Sequence, residues 1–227
     1  TPTVAQWLGR KLSAIDGAEV GIDGMVSPAS MVEDLILELR AQGGITLRTN
    51  FDPLDIVWQN RPEIPLAPVE LHPVEYAGES ASSKLSRIRA ALRELHAYGM
   101  LMSALDDIAW TLNMRGSDVH CNPVFVSYLL IEGDKTVLFI DRRKLSAEAE
   151  TYLAGIGVTV RDYADVSAAL RSYREYNILM DPDETCYTLF KSVAKAEVVC
   201  HASPVAVMKT VKNDVEIAGF HSAMLRD

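Results

Sequence analysis

The sequence predicts an α/β fold, a mixed β-sheet with helices on both faces. Three observations lead there. Apolar residues switch repeatedly between a spacing of two and a spacing of three to four, so strands and helices alternate along the whole chain. One pair of strands is joined by a short polar turn, while the others are separated by helix-length segments. A single hairpin among strand–helix units gives a sheet with both parallel and antiparallel neighbours. At 227 residues, 48% apolar and 23% charged, the chain is long enough for one large or two modest domains with a buried core.

The elements follow in order. Residues 3–13 predict a short helix and 19–22 a short apolar strand. Pro28 then opens a helix that places Met31, Leu35, Ile36 and Leu39 on one face; Gly43 and Gly44 end it, and 45–47 resume as a strand. From 52 to 73 the chain changes character. Prolines at 53, 62, 65, 68 and 73 exclude helix and central strand for most of it, because proline lacks an amide donor and crowds the preceding turn. The stretch reads as an extended connector and an internal boundary. Ser80 is placed to cap a helix reaching about residue 98, with Leu85, Ile88, Leu92 and Leu95 inward. A strand at 100–103 and a helix at 105–112 come next. The hairpin pairs 124–131 with 136–140 around Glu132-Gly133-Asp134-Lys135. Helices at 146–154 and 165–174, strands at 157–161 and 177–180, a short helix near 185–191 and a strand at 196–199 continue the alternation. An amphipathic segment at 213–225 ends it. There is no internal repeat and no low-complexity segment.

Composition excludes several function classes. A net charge of -9 argues against a nucleic-acid surface, which needs clustered Lys and Arg. The one short basic run, Arg142-Arg143-Lys144, reads as a solvated turn between a strand and a helix. No apolar run approaches the roughly 20 residues that span a bilayer, and no basic-then-apolar leader stands at the start. The start Thr1-Pro2-Thr3, without an initiator Met, reads as an excised piece or a processed end. Cys121, Cys186 and Cys200 are odd in number and far apart, which predicts buried free thiols in a reducing cytoplasm. The five histidines have no partner at zinc-site spacing, so no bound metal is predicted in this chain.

Catalytic templates fail in turn. Gly155 and Gly157 follow a helix and are too few to cradle a phosphate, and no Gly-x-Ser-x-Gly elbow is present. Asp106-Asp107 and Asp181-Asp183 are paired carboxylates of the kind that hold magnesium. The first pair, however, sits at a helix start, where it complements the macrodipole, and Asp181-Pro182-Asp183 reads as a turn. The densest unusual segment runs from Asn113 to Phe125 between a helix and a strand, where α/β scaffolds carry function. There Arg115 and Asp118 read either as an ion pair that fixes the loop, with Asn122 capping the turn before Pro123, or as polar edges facing a ligand cleft. The candidate cleft residues are Arg115, Ser117, Asp118 and Asn122.

Five segments then carry a resemblance. They are Ile56-Val57-Trp58 with Arg61-Pro62 and Pro65; Tyr76-Ala77-Gly78-Glu79-Ser80 leading to Lys84-Leu85 and Ile88-Arg89; and Leu105-Asp106-Asp107-Ile108-Ala109-Trp110-Thr111-Leu112-Asn113-Met114-Arg115-Gly116-Ser117-Asp118. The fourth is Asn122-Pro123-Val124-Phe125 with Ser127-Tyr128, and the fifth is Lys212-Asn213 with Glu216-Ile217, Gly219-Phe220 and Ala223. Together, and in this order, they resemble aminopeptidase P, the large three-domain Xaa-Pro aminopeptidase of the creatinase and prolidase superfamily. The last segment is similar to the helix that opens the superfamily's catalytic domain. His120 and Cys121 depart from the aromatic or aliphatic pair more usual there.

The resemblance implies a creatinase N-terminal-domain-like, ribonuclease-H-like sheet. It implies residues 1–70 as the tail of a first domain with its connector, 71–211 as a middle domain and 212–227 as the first helix of a catalytic domain. The parent enzyme would remove the N-terminal residue from peptides with proline second, using two manganese or similar divalent ions. Their ligands, two Asp, one His and two Glu in the family, match no residue here, so no catalytic or metal role is expected in this chain and the chain alone is expected to be inactive. Its implied share is architectural, walling the substrate cleft with the 115–123 loop nearest the peptide. Implied partners are that peptide, the chain's own catalytic domain and, through apolar surface left exposed, a homodimer; neither nucleic acid nor membrane is expected, and the location is cytoplasmic. Two alternatives stand beside it. One is a non-enzymatic peptide- or protein-binding module of the same architecture, as in histone-chaperone homologues that have lost the metal ligands. The other is a magnesium nuclease on a ribonuclease-H-like sheet, which the acidic composition opposes.

Overall fold

The computed structural model describes residues 1–193 and 196–226 and divides into two compact units. The first comprises Thr1–Glu63 with Pro182–Val193, the second Ile64–Asp181 with Ala194–Asp227.

In the first unit, helix α1 (Val4–Leu12) begins with a capping box: the Thr3 hydroxyl accepts from the Gln6 amide, and the Gln6 side chain accepts from the Thr3 amide. Two of the helix's orphan donors are thereby satisfied. Strand β1 (Glu19–Gly21), helix α2 (Ala29–Ala41) and strand β2 (Thr46–Arg48) follow, with β1 and β2 parallel. Ala5, Ala18, Leu39 and Ile45 form the small core. On α2 the buried residues are Ala29, Val32 and Leu39, and Met31 is exposed, so the apolar stripe lies one residue round from the predicted face. The proline-rich stretch is not wholly extended. Pro53 opens a short helix, α3 (Pro53–Val57), capped by Asp52, whose Oδ1 accepts from the Leu54 amide at 2.9 Å. A proline at the first helical position loses no bond, because that amide has no partner in a helix.

The second unit holds the candidate site. In chain order it has β3 (Glu70–Leu71), α4 (Val74–Ala77), α5 (Ala81–Glu94), β4 (Gly99–Met102), α6 (Leu105–Leu112), β5 (Met114–Arg115), β6 (Tyr128–Glu132), β7 (Lys135–Phe139), α7 (Ala147–Gly155), β8 (Val158–Arg161), α8 (Val166–Ser172) and β9 (Asn177–Met180). The chain returns to the first unit for α9 (Tyr187–Phe190), then completes the second with β10 (Glu197–Cys200), α10 (Pro204–Thr210) and α11 (Asp214–Met224). Six strands form a sheet in the order β10-β9-β4-β6-β7-β8. Only β6 runs against its neighbours; the other pairings are parallel, which makes the sheet mixed. Met100, Met102, Leu129, Ile131, Leu138 and Leu179 share one core with Leu85, Ile88 and Leu92 of α5, Ile108 and Leu112 of α6 and Leu153 of α7. Leu101, Leu130, Ile178 and Met180 alternate with them, point to the other face and are equally buried, so the sheet is covered on both sides.

The hairpin turn is as predicted: Glu132 pairs with Lys135, and Gly133 takes the positive φ of 50° that a tight turn requires. Its first strand is shorter than predicted and begins at Tyr128. Residues 124–127 direct their backbone elsewhere: the Val124 carbonyl accepts from the Asp118 amide at 3.2 Å, and the Val126 amide donates to Asp118 Oδ2 at 2.6 Å. The cysteines also differ from expectation. None of the three is in a disulfide, but Cys121 and Cys200 are exposed and Cys186 is half-buried. Cys121 sits in a turn with φ of 58°, and Cys200 ends strand β10 at the sheet edge, so neither faces the core.

Candidate functional site

Two polar assemblies flank the short strand β5 that links α6 to the 115–123 loop. Asn113 ends α6 in the left-handed conformation, φ 50°, and its side-chain amide donates to the Glu79 carbonyl at 2.8 Å. Met114 and Arg115 then pair antiparallel with Leu71 and Glu70 of β3. The half-buried Arg115 turns back on α6: its Nη1 donates to the Ala109 carbonyl at 3.0 Å and to the Met114 carbonyl at 2.8 Å. A cation here meets the Ala109 carbonyl in the helix's last turn, where the macrodipole favours it.

Arg115 and Asp118 therefore do not form the expected ion pair. Asp118 reaches Lys144 instead, with both side chains 1% exposed. Arg142 and Arg143 of the basic run are solvated as predicted, but Lys144 is not. Strand pairing decides this. It commits the Arg115 guanidinium to the α6 terminus, while Asp118 turns inward to the Val126 amide and the Lys144 ammonium. Ser117 and Asn122 stay exposed, and Asn122 closes the turn through its backbone, its amide donating to the Val119 carbonyl at 3.1 Å. The loop is thus anchored by a buried pair and presents two small polar side chains.

The second assembly surrounds Lys84. This residue is 2% exposed, yet its ammonium donates to the Trp110 carbonyl at 2.9 Å and to Asn113 Oδ1 at 2.7 Å, and lies 4.1 Å from the centre of the Trp110 ring. Burial lowers its pKa from 10.5 to about 8. A neutral amine keeps two N–H donors, so both hydrogen bonds survive loss of the proton. Beside it opens a cavity of about 520 Å³ whose walls include Arg115, Lys212, Glu216, Tyr76 and Phe220. His72 is also in the wall, and burial, then the positive Arg115 and Lys84, depress its pKa. Helix α11 closes one side. Asn213 and Glu216 form its capping box, and Asn213 Nδ2 donates to the Ala77 carbonyl at 2.9 Å, docking α11 on α4.

The predicted carboxylate pair is engaged by a lysine. Lys209 contacts both Asp106 and Asp107, the latter at 2.6 Å, and the Ser203 hydroxyl donates to Asp107 Oδ2 at 2.7 Å. Asp181 Oδ2 accepts from the Ser203 amide at 3.3 Å. Among the described residues no group of three or more His, Cys, Asp or Glu is arranged to hold a metal ion. The residues present therefore do not fit a metal pair.

The sequence model of the "Creatinase/Prolidase N-terminal domain" matches residues 60–216. The chain belongs to that family. Over its whole length it is 31% identical to "Aminopeptidase P1" of Arabidopsis thaliana and 34% identical to "Probable Xaa-Pro aminopeptidase P" of Aspergillus niger, covering 39% and 38% of those proteins. The chain thus spans less than two-fifths of the length of the curated relatives it matches. Among solved structures it resembles X-prolyl aminopeptidase from Caenorhabditis elegans, described as "a cytosolic enzyme with a di-nuclear active site". The TM-score is 0.88 at 27% identity, over 96% of this chain and 36% of that one. This chain is an α/β scaffold with a mixed six-stranded sheet, and its fold follows that structure closely.

In this family member the sequence singles out the 115–123 loop as a candidate, whereas the burial of Lys84 and Lys144 was not foreseen. Lys84 carried a readable signal: Ala81, Lys84, Leu85, Ile88 and Leu92 fall on one helical face, so an inward lysine was implied by spacing. Lys144 carried none, because nothing in Arg142-Arg143-Lys144 distinguishes the third residue from the first two. No helix among the described residues is long and apolar enough to cross a membrane.

Proposed function

We propose that this chain is the non-catalytic accessory region of a two-metal Xaa-Pro aminopeptidase that releases the N-terminal residue from peptides with proline second. The observation that carries the reading is the similarity, along all of this chain, to the plant Aminopeptidase P1 and to the fungal "Probable Xaa-Pro aminopeptidase P". Residues 1–70 then belong to a first domain, 71–211 to a middle domain, and 212–227 begin a catalytic domain that is this chain's first partner. The exposed Met224 and Leu225 at the end of α11 support that partnership, because neighbouring apolar side chains normally meet a cover. The two metal ions, manganese or a similar divalent cation, would polarise the scissile carbonyl and supply the attacking hydroxide. No group of described residues here supplies their ligands, so those would lie outside this sequence. By analogy with the nematode enzyme, the protein works in the cytosol.

This chain's own contribution is a wall of the substrate cleft. Loops carry binding residues when a rigid scaffold positions them, and the buried Asp118–Lys144 pair does so here, leaving Ser117 and Asn122 to face a peptide. Arg115 and Asp118 act as positioning residues. In the intact enzyme, Ser117→Ala and Asn122→Ala together should lower kcat/KM on an Xaa-Pro tripeptide by about three- to tenfold with an unchanged melting temperature. Unchanged kinetics would sink the cleft role. The 227-residue chain alone, with manganese added, should release no amino acid from the same tripeptide; turnover would show that it is catalytic after all.

A further inference from the structure

We propose that the cavity beside Lys84 binds a small organic carboxylate with an apolar or aromatic body. The inference rests on the cavity's own chemistry and not on the peptidase reading.

Charge comes first. Lys84, Arg115 and Lys212 line a cavity whose wall holds one carboxylate, Glu216, and the Lys212 ammonium also donates to the Lys209 carbonyl. The site is therefore locally cationic in a chain of net charge -9. Glu216 is partly committed, since its Oε2 accepts from the Asn213 amide at 2.9 Å. Glu79, the acidic group that most favours the charge on Lys84, is paired with Arg87 at 2.6 Å. Arg115 uses Nη1 for two carbonyls, and among the described residues no carboxylate forms a salt bridge with it, although Glu216 favours its charge from across the cavity wall. A half-buried guanidinium with carbonyl partners and no salt bridge favours an incoming anion, and its planar fork matches a carboxylate.

The apolar surface comes second. Trp110, Tyr76, Phe220, Ala77 and Ala223 line the same cavity, so it is aromatic and aliphatic around a few cations. This combination selects a ligand with an acidic head and an apolar body over inorganic phosphate. About 520 Å³ is enough for an aryl carboxylate or the last residues of a peptide. These are two sources of one chemistry, a free acid or a peptide C-terminus.

Two substitutions test the site without entering the core. Gly219 lines the cavity, and a Cβ built on it meets no atom within 4 Å, so Gly219→Leu fills the space while the helix stays intact. Lys212 is exposed, so Lys212→Glu reverses one charge at the wall. The probes are 3-phenylpropionate, its amide, inorganic phosphate, and the peptide Ala-Ala-Phe with a free or an amidated C-terminus. Titrations of the 227-residue chain would be followed by calorimetry and by the Trp110 indole resonance, assigned with a Trp110→Phe variant. 3-Phenylpropionate should bind in the millimolar range or tighter, with its amide at least about tenfold weaker. Lys212→Glu should weaken it about fivefold at low salt and less at high salt, and Gly219→Leu should abolish binding. Equal binding of the free peptide would assign a peptide C-terminus as the source; binding of the small acid alone would assign a free metabolite. No binding by any acid, equal affinity for acid and amide, phosphate binding as tightly as 3-phenylpropionate, or indifference to both substitutions would overturn the proposal. Circular dichroism of each variant checks the fold, and Lys212→Glu carries the test if Gly219→Leu fails to fold.

Discussion

Replacing Asp118 by Asn keeps the acceptor for the Val126 amide but removes the ion-pair partner of Lys144, which is 1% exposed. A buried ammonium left unpaired costs about 3–5 kcal/mol, because it has given up water without gaining an anion. Lys144→Met should cost about as much, leaving a carboxylate that is 1% exposed with one amide donor. The double variant should recover to within about 1–2 kcal/mol of the parent, since it leaves no buried charge unpaired and keeps an acceptor for the Val126 amide. The coupling energy of the cycle should therefore be about 4 kcal/mol or more. Chemical denaturation of all four proteins measures it, and in a unit of this size each single variant should melt about 10 °C lower. An Arg115–Asp118 cycle run in parallel should show coupling below about 0.5 kcal/mol, because the two side chains share no contact in the fold. Single costs below about 1 kcal/mol, or strong coupling between Arg115 and Asp118, would refute the burial argument.

Three further outcomes are expected. Lys84 has a folded pKa of about 8 against an ordinary 10.5, so between those values the unfolded chain holds a proton that the folded chain has lost; stability should rise with pH across that window, and Lys84→Met should remove the rise in urea titrations. Gly78 ends α4 at φ 69°, and a Cβ there would overlap Asn213 Oδ1. Gly78→Ala should thus cost about 1–2 kcal/mol of backbone strain and release α11, seen as faster proteolysis between residues 210 and 226 while the far-ultraviolet strand signal holds. Lys209→Met should leave Asp107, buried, with the Ser203 hydroxyl as its remaining donor and lower stability by about 2–3 kcal/mol, whereas Asp106→Asn, at an exposed carboxylate, should change it by under about 1 kcal/mol.

Particular residues show how far the sequence could be read. Leu85, Ile88 and Leu92 repeat at helical spacing and are buried on α5, and the continuous apolar strands 99–102 and 177–180 are buried at every position. These elements were legible because their patterns follow from local geometry, three to four residues per helical turn and two per strand. Proline-rich residues 52–57 were misread only where Asp52 caps a helix that Pro53 is suited to begin. Membership of the creatinase/prolidase N-terminal family was legible from motifs alone, since they record one fold in order.

The site was legible only as a region. Sequence proximity proposed Arg115 with Asp118, three residues apart; the fold instead joins Asp118 to Lys144, 26 residues away, and Lys84 to Asn113, 29 residues away. By itself the sequence determined the order of helices and strands, the mixed sheet and the place of the polar loop, because each depends on neighbours along the chain. The tertiary structure alone decided which charges meet, which lysines are buried and where a cationic cavity opens. Those depend on desolvation and distance between segments that only packing brings together.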